Sequence, residues 1–249
     1  MRFENLYYPE MTGETFKELE NIGRWFNTIY GTYPTIIGGW AVWFYNPAGM
    51  GSRDIDILFG SREMKDRLVN QYLICNNFKC KKRSLFEVEY IKEVKTSKGI
   101  EDIYIDACSA EDGNLVHGVG IEVPWSLALK NAKLVTHGKL NFYIPVPEVL
   151  IVFKAKAAYD REYDSKHAFD PFYIQSKIWK DYYDITSLLK YCEFEPALIR
   201  KILGGTGFTK FFLEVVERLV DKKDILERHG ISREFSKSRI ETLGITRDQ

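Results

Sequence analysis

Asp54 and Asp56 stand two residues apart in the run Asp54-Ile-Asp-Ile-Leu-Phe59, whose alternation predicts a strand. Residues spaced by two on a strand share a face, with Cα atoms about 6–7 Å apart. Two bare carboxylates that close repel by several kcal/mol at an effective dielectric of about 20, so such a pair is either solvated or neutralised by a cation. Mg²⁺ usually takes one or two carboxylates plus substrate phosphates, which makes the pair a candidate metal site. A third acid, Asp106, stands alone in the apolar run Ile103-Tyr-Ile-Asp-Ala-Cys108. Asp102 is its rival on the same face by period two, and the flanking Ile105 and Ala107 favour Asp106. Upstream, Gly38-Gly39 follows the short β-branched run Pro34-Thr-Ile-Ile37. Without side chains, that pair lets backbone N–H groups approach phosphate oxygens, and a helix starting there adds a favourable dipole. Ser52 brings a hydroxyl within reach of a phosphate just ahead of the two acids.

The elements that must position these residues follow from periodicity and breakers. Thr12 to Tyr30 has apolar residues at helical spacing, with Thr12 as cap and Gly31 as stop. Trp40-Ala-Val-Trp-Phe-Tyr45 is apolar all round and predicts a buried helix. Asn46 to Ser52 reads as a loop, and Ser61 to Leu73 as a helix. Phe86 to Lys95 and Ile100 to Cys108 predict a hairpin turning at Thr96-Ser-Lys-Gly99. A strand around Ile121, a short helix from Pro124 to Lys130, and strands near Leu134 and Phe142–Ile144 complete this half. Lys79 to Arg83 reads as a solvated turn.

The Pro145-Val-Pro147 step marks a boundary, giving an α/β core over 1–146 and a helical domain over 147–249. Helices are predicted at Glu148–Tyr163, Tyr173–Tyr191, Pro196–Leu203 and Phe208–Glu227, with a last one after Ser232. The fold class is therefore α+β: a mixed-sheet domain followed by an all-helical one. On the first of these helices Lys154, Ala158 and Arg161 fall at i, i+4 and i+7 and share a face. On the next, Ile174, Ile178, Ile185 and Leu188/Leu189 make a core stripe, and Lys177, Lys180, Asp184 and Ser187 an opposite, polar one. Lys154, Arg161 and Lys180 are candidates to line the triphosphate side of a cleft between the domains.

Composition narrows the classes. In 249 residues, 35 basic side chains balance 35 acidic ones, and the two halves are each close to neutral. That argues against a basic nucleic-acid coat protein. No stretch approaches the roughly 18–20 apolar residues of a membrane span, and the first ten residues have no apolar region of a signal peptide. Cys75, Cys80, Cys108 and Cys192 form no C-x-x-C pair and read as reduced thiols, which points to the cytoplasm. The four histidines lack zinc-ligand spacing.

Gly38-Gly39 followed by Asp54-x-Asp56 and a later lone strand acid resembles the DNA polymerase-β-like nucleotidyltransferase superfamily. The segment Pro147-Glu-Val-Leu-Ile-Val-Phe-Lys-Ala-Lys-Ala-Ala-Tyr-Asp-Arg161, then Lys180-Asp181-x-x-Asp184-Ile185-x-x-Leu188, is similar to the helical half of abortive-infection type toxin nucleotidyltransferases. The similarity covers roughly residues 34–190. Met50 and Ser52 stand where relatives often carry Arg and Thr, with Arg53 displaced. The resemblance implies a nucleotidyltransferase-type fold, two Mg²⁺ ions (with Mn²⁺ as a substitute), and transfer of a nucleoside monophosphate from an NTP to an acceptor hydroxyl on RNA such as tRNA, on a protein or on a small molecule. In that frame Asp54, Asp56 and Asp106 are catalytic metal ligands, the two ions about 3.5–4 Å apart clamping the attacking and leaving oxygens. Gly38, Gly39, Ser52, Lys154, Arg161 and Lys180 hold the nucleotide. An antitoxin-type protein partner is also implied. The alternatives are a non-catalytic nucleotide- or partner-binding protein of the same fold and a metal-dependent phosphodiesterase.

Overall fold

The computed structural model describes residues 3–82, 88–168 and 170–245. After a 3₁₀ turn at Phe3–Leu6, helix α1 spans Pro9–Tyr30. It starts three residues ahead of Thr12, because Pro9 suits a first helical turn that needs no N–H. Gly31, at φ 64°, ends it by donating its amide to Asn27 O. Met11, Leu19, Ile22 and Phe26 form its buried stripe, each burial contributing roughly 1.5–3 kcal/mol.

Strand β1 (Thr35–Ile37) runs directly into α2 (Gly38–Tyr45), and β2 (Asp54–Phe59) follows after the loop. Helix α3 (Arg62–Leu68) widens into a π turn at Val69–Leu73 and tightens into a 3₁₀ turn at Ile74–Asn76. Then come β3 (Lys79–Lys82), β4 (Val88–Thr96) and β5 (Gly99–Ser109), followed by α4 (Ser126–Lys130), β6 (Ala132–His137) and β7 (Leu140–Pro145). Among the described residues seven strands form one mixed sheet in the order β3-β4-β5-β2-β1-β7-β6. The β2–β5 and β1–β7 pairs are parallel and the other neighbours antiparallel. Ile55, Ile57, Ile103 and Ile105 are buried on one face. Helix α1 covers that face, with Phe26 against Phe59 and Gly23 so close to Phe142 that a Cβ would lie 2.9 Å from the ring.

The helical region contains α5 (Pro147–Asp164), a 3₁₀ turn at Ser165–His167, α6 (Pro171–Tyr191), α7 (Pro196–Thr206), α8 (Thr209–Leu219), α9 (Lys223–His229) and α10 (Arg233–Glu241). Among the described residues no helix is long and apolar enough to cross a membrane.

The chain divides into two compact units, Met1–Asp112 with Ala128–Pro145, and Gly113–Leu127 with Val146–Gln249. Residues 113–127, read from sequence as part of the sheet half, therefore group with the helices. The cause is specific: the His117 amide donates to Asp160 Oδ1 at 2.9 Å, its Nδ1 lies 2.8 Å from Asp164 Oδ2, and Trp125 packs edge-on against Phe153.

Three local expectations need correction. Ile121 lies in no strand; the segment makes only an isolated bridge, Leu115 to Glu122. Lys79–Lys82 is an edge strand rather than a turn, its lysines of the kind that discourage edge-to-edge pairing; Arg83 lies outside the described residues, as does Phe86 of the expected hairpin. The single helix expected over Phe208–Glu227 breaks between α8 and α9, where Asp221 and Lys222 donate to Arg218 O and Leu219 O in tighter turns.

Asp112 ties α3 to the end of β5. Burial alone would raise its pKa, but hydrogen bonds from Lys65, the Ser109 amide and Arg62 outweigh that and hold it at about 2. A depressed carboxylate stabilises the fold above the unfolded range near 3.9, and the gain disappears as pH falls towards the folded value. Asp112→Asn should therefore lower unfolding free energy by on the order of 2 kcal/mol near neutrality. The gap from wild type should close as pH drops below about 4, as read by urea denaturation at a series of pH values.

Candidate functional site

The parallel pairing of β2 with β5 decides which acids meet. Asp56 is paired directly with Asp106, Asp54 with Tyr104, and Leu58 with Cys108. Paired residues on neighbouring strands project from the same face, so Asp54, Asp56 and Asp106 lie on one side and the four buried isoleucines on the other. Asp54 and Asp56 are half-buried and Asp106 is exposed. Asp102 is two residues before the partner of Asp54, about 13 Å along the strand from Asp106 at roughly 3.3 Å per residue. The register thus separates the two rivals, and Asp106 is the acid beside Asp56.

Cys108, two residues past Asp106 on β5, shares this face. Burial first, and then the negative charges of Asp106 and Asp56, push the Cys108 thiol well up. Both acids therefore act on one neighbouring sulfur. Cys108 and Tyr104 belong to this face by the same period-two rule that selected Asp106, yet nothing in their types distinguishes them from core residues in sequence.

The glycine pair lies at the same place. β1 pairs antiparallel with β2 so that Ile37 faces Asp56, and Gly38 comes next. A Cβ built on Gly38 would lie 1.8 Å from Asp56 Oδ2, and Gly38 has φ 65°. Only glycine fits, because the backbone is left-handed and the carboxylate occupies the side-chain position. Gly38 opens α2, whose N-cap residue Ile37 makes no side-chain hydrogen bond to the amides of the first turn. Gly39 is buried behind it.

The loop between α2 and β2 is held from several sides. Gly51 packs on Trp40, where a Cβ would be 2.8 Å from the indole, and Ser52 O accepts the Thr15 hydroxyl at 2.6 Å. Ser52 itself is buried, and its hydroxyl accepts the Asp54 amide at 3.3 Å. Ser52 thus helps to position Asp54 through its amide. Arg53 donates to Asp102 O at 3.4 Å and lies 3.9 Å from Glu101, beyond the Asp54 end of the acidic row.

Lys154, Arg161 and Lys180 come together, but around acids rather than an open cleft. Lys154 Nζ lies 3.1 Å from Asp181 Oδ1 and 2.8 Å from Asp184 Oδ2, Arg161 pairs with Asp181, and Lys180 pairs with Asp184. Lys180, Asp181 and Asp184 are almost fully buried. Burial lowers the Lys180 pKa. At Asp181 burial pushes upward, but the charges of Arg161 and Lys154 outweigh it and leave the carboxyl below its usual range. The polar stripe expected on α6 is therefore largely internal, since Ser187 is buried as well. The i, i+4, i+7 spacing on α5 brings Lys154 and Arg161 to one carboxylate on α6.

Oxygen ligands of the right type share one face of β2 and β5, and Mg²⁺ needs only one or two carboxylates when phosphates complete its shell. Among the described residues no three His, Cys, Asp or Glu side chains already close into a metal cluster. The donors therefore fit Mg²⁺ in type, without a preformed cage among the described residues.

Two consequences can be measured. Gly38→Ala should destabilise the fold by more than the roughly 1 kcal/mol of an ordinary Gly→Ala change at a compatible site. Much of that loss should vanish in an Asp56→Ala background, giving a coupling of about 0.5–3 kcal/mol in a double-mutant cycle of denaturant unfolding. Asp184→Ala removes the carboxylate that both Lys154 and Lys180 pair with in a buried cluster and should cost about 3–5 kcal/mol, readable as a large drop in Tm. No protein-family model, curated protein or solved structure matches the chain significantly.

Proposed function

We propose that this protein is a Mg²⁺-dependent nucleotidyltransferase that moves a nucleoside monophosphate from an NTP to an acceptor hydroxyl. The observation that carries the reading is the convergence of three features at one point: Asp56 paired with Asp106, Asp54 two residues along the same face, and Gly38 backbone directly against the Asp56 carboxylate.

Each residue has a role that its place supports. Asp54, Asp56 and Asp106 would hold the metal, which when bound would neutralise their mutual repulsion and the phosphate charge. The N–H groups at Gly38 and Gly39 would bind phosphate oxygens where the α2 dipole favours negative charge. Ser52 would keep Asp54 in position through its amide. Asp106, the exposed acid of the three, would accept the acceptor hydroxyl proton as the acceptor oxygen bonds to the α-phosphorus. The bond from that phosphorus to the β-phosphate bridging oxygen breaks, and pyrophosphate leaves with its electron pair. Most of the rate would come from positioning and charge stabilisation, as in phosphoryl transfer generally. Lys154, Arg161 and Lys180 fall outside this set: Lys154 and Arg161 bridge α5 to acids of α6, and Lys180 pairs with Asp184 within α6.

A binding-only reading draws on the absence of a preformed three-ligand cluster among the described residues. Product chemistry separates the two readings. With α-labelled NTPs, Mg²⁺ and a cell extract, the transferase reading requires pyrophosphate release and label on an acceptor. Asp56→Ala and Asp106→Asn should each lower transfer by more than about 100-fold, beyond the 10–100-fold typical of losing a supporting group, with circular dichroism unchanged. NTP binding indifferent to Mg²⁺ without pyrophosphate would favour the binder, and wild-type transfer by Asp56→Ala would refute the metal assignment.

A further inference from the structure

From the last turn of α7 to the start of α8 the chain reads Gly204-Gly-Thr-Gly-Phe208. Beside this turn opens a cavity of about 320 Å³, lined by Arg200, Lys201, Leu203, Gly204, Thr209 and Ile245. That is at the small end of the roughly 300–1,000 Å³ typical of ligand sites. All six residues belong to the helical unit, whereas the acidic row on β2 and β5 belongs to the sheet unit.

Four observations define its chemistry. Thr209, the first residue of the eleven-residue α8, is 8% exposed and lines the cavity, and among the described residues its hydroxyl makes no hydrogen bond. Helix α8 has no side-chain cap and no acid in its first turn, so its N-terminal N–H groups and dipole favour an anion. Arg200 and Lys201 both line the space, and among the described residues neither has a carboxylate at ion-pair distance. Arg200 is held in place: its Nη1 donates to Leu243 O at 3.3 Å and passes over Gly244, where a Cβ would lie 2.6 Å away. A single carbonyl occupies one of the five guanidinium donors. The C-terminal carbonyls of α7 also end here, but a helix end carries only about half an elementary charge, which two full cations outweigh. Leu203 and Ile245 add an apolar wall, and the volume exceeds what a bare oxyanion fills.

We propose that this cavity binds a phosphate monoester. The phosphate sits among Arg200, Lys201, the Thr209 hydroxyl and the first amides of α8, with the organic group against Leu203 and Ile245. Nothing in this assignment depends on the transferase reading.

The test is an amide-resolved NMR titration of the full chain without divalent cations, using AMP, inorganic phosphate and adenosine as probes. AMP should give saturable shifts at Thr209, Lys210 and Gly204–Gly207. Phosphate should shift the same amides with weaker affinity, and adenosine should leave them unmoved. Lys201→Gln and Thr209→Val should each weaken AMP binding by roughly 3–10-fold, the range for losing one polar contact, with amides elsewhere unchanged. Asp56→Ala should leave the AMP affinity at these amides as in wild type, so failure here and failure of the β2–β5 site are told apart. The proposal is overturned if Thr209 shows no saturable shift, if AMP binds no tighter than phosphate, or if the Lys201→Gln/Thr209→Val double variant binds AMP as wild type does.

Discussion

The β2–β5 site depends on one close approach: the Asp56 carboxylate lies where a side chain on residue 38 would have to be. That contact forces glycine at the β1–α2 junction and fixes the start of α2 against β2. It also turns a helix N-terminus toward a row of acids. Like charges at such spacing repel by several kcal/mol at an effective dielectric near 20. Asp54, Asp56 and Asp106 are gathered on one face of β2 and β5, the row on which the proposed reading rests.

The helical unit resolves its charges internally. Lys154, Lys180 and Arg161 bracket Asp181 and Asp184 between α5 and α6. Removing charges from water is expensive, and a buried pair contributes little beyond a well-packed apolar alternative; deleting one partner is what destabilises. The cluster therefore fixes how two central helices pair more than it adds stability. By contrast, Arg200 and Lys201 face a cavity with no carboxylate answering them among the described residues, which is why the chemistry of an anion fits there.

Much of the sheet and of its acidic row was legible in sequence because period two is a strong constraint. Alternation across Asp54–Phe59 and the isolated acid in Ile103–Cys108 were enough to nominate Asp54, Asp56 and Asp106. Choosing between Asp102 and Asp106 needed the register of two strands separated by more than forty residues, which no local pattern encodes. The bond from the Asp54 amide to the Ser52 hydroxyl was not legible, because a hydroxyl before two acids looks the same whatever it faces. The ion pairs of Lys154, Arg161 and Lys180 were not legible either, because helical spacing reports which residues share a face, not which acids meet it. The grouping of 113–127 with the helices was not legible because its ties to α5 run through His117 and Trp125, contacts made across about 28 to 47 residues of sequence.

The most direct measurement is a crystal structure of the protein with Mn²⁺ and a non-hydrolysable NTP analogue, with the metal located by anomalous scattering. The account predicts a peak about 2.1 Å from carboxylate oxygens of Asp56 and Asp106, with a triphosphate oxygen against the Gly38–Gly39 amides. A nucleotide bound elsewhere, or a metal that leaves both of those aspartates uncoordinated, would contradict it.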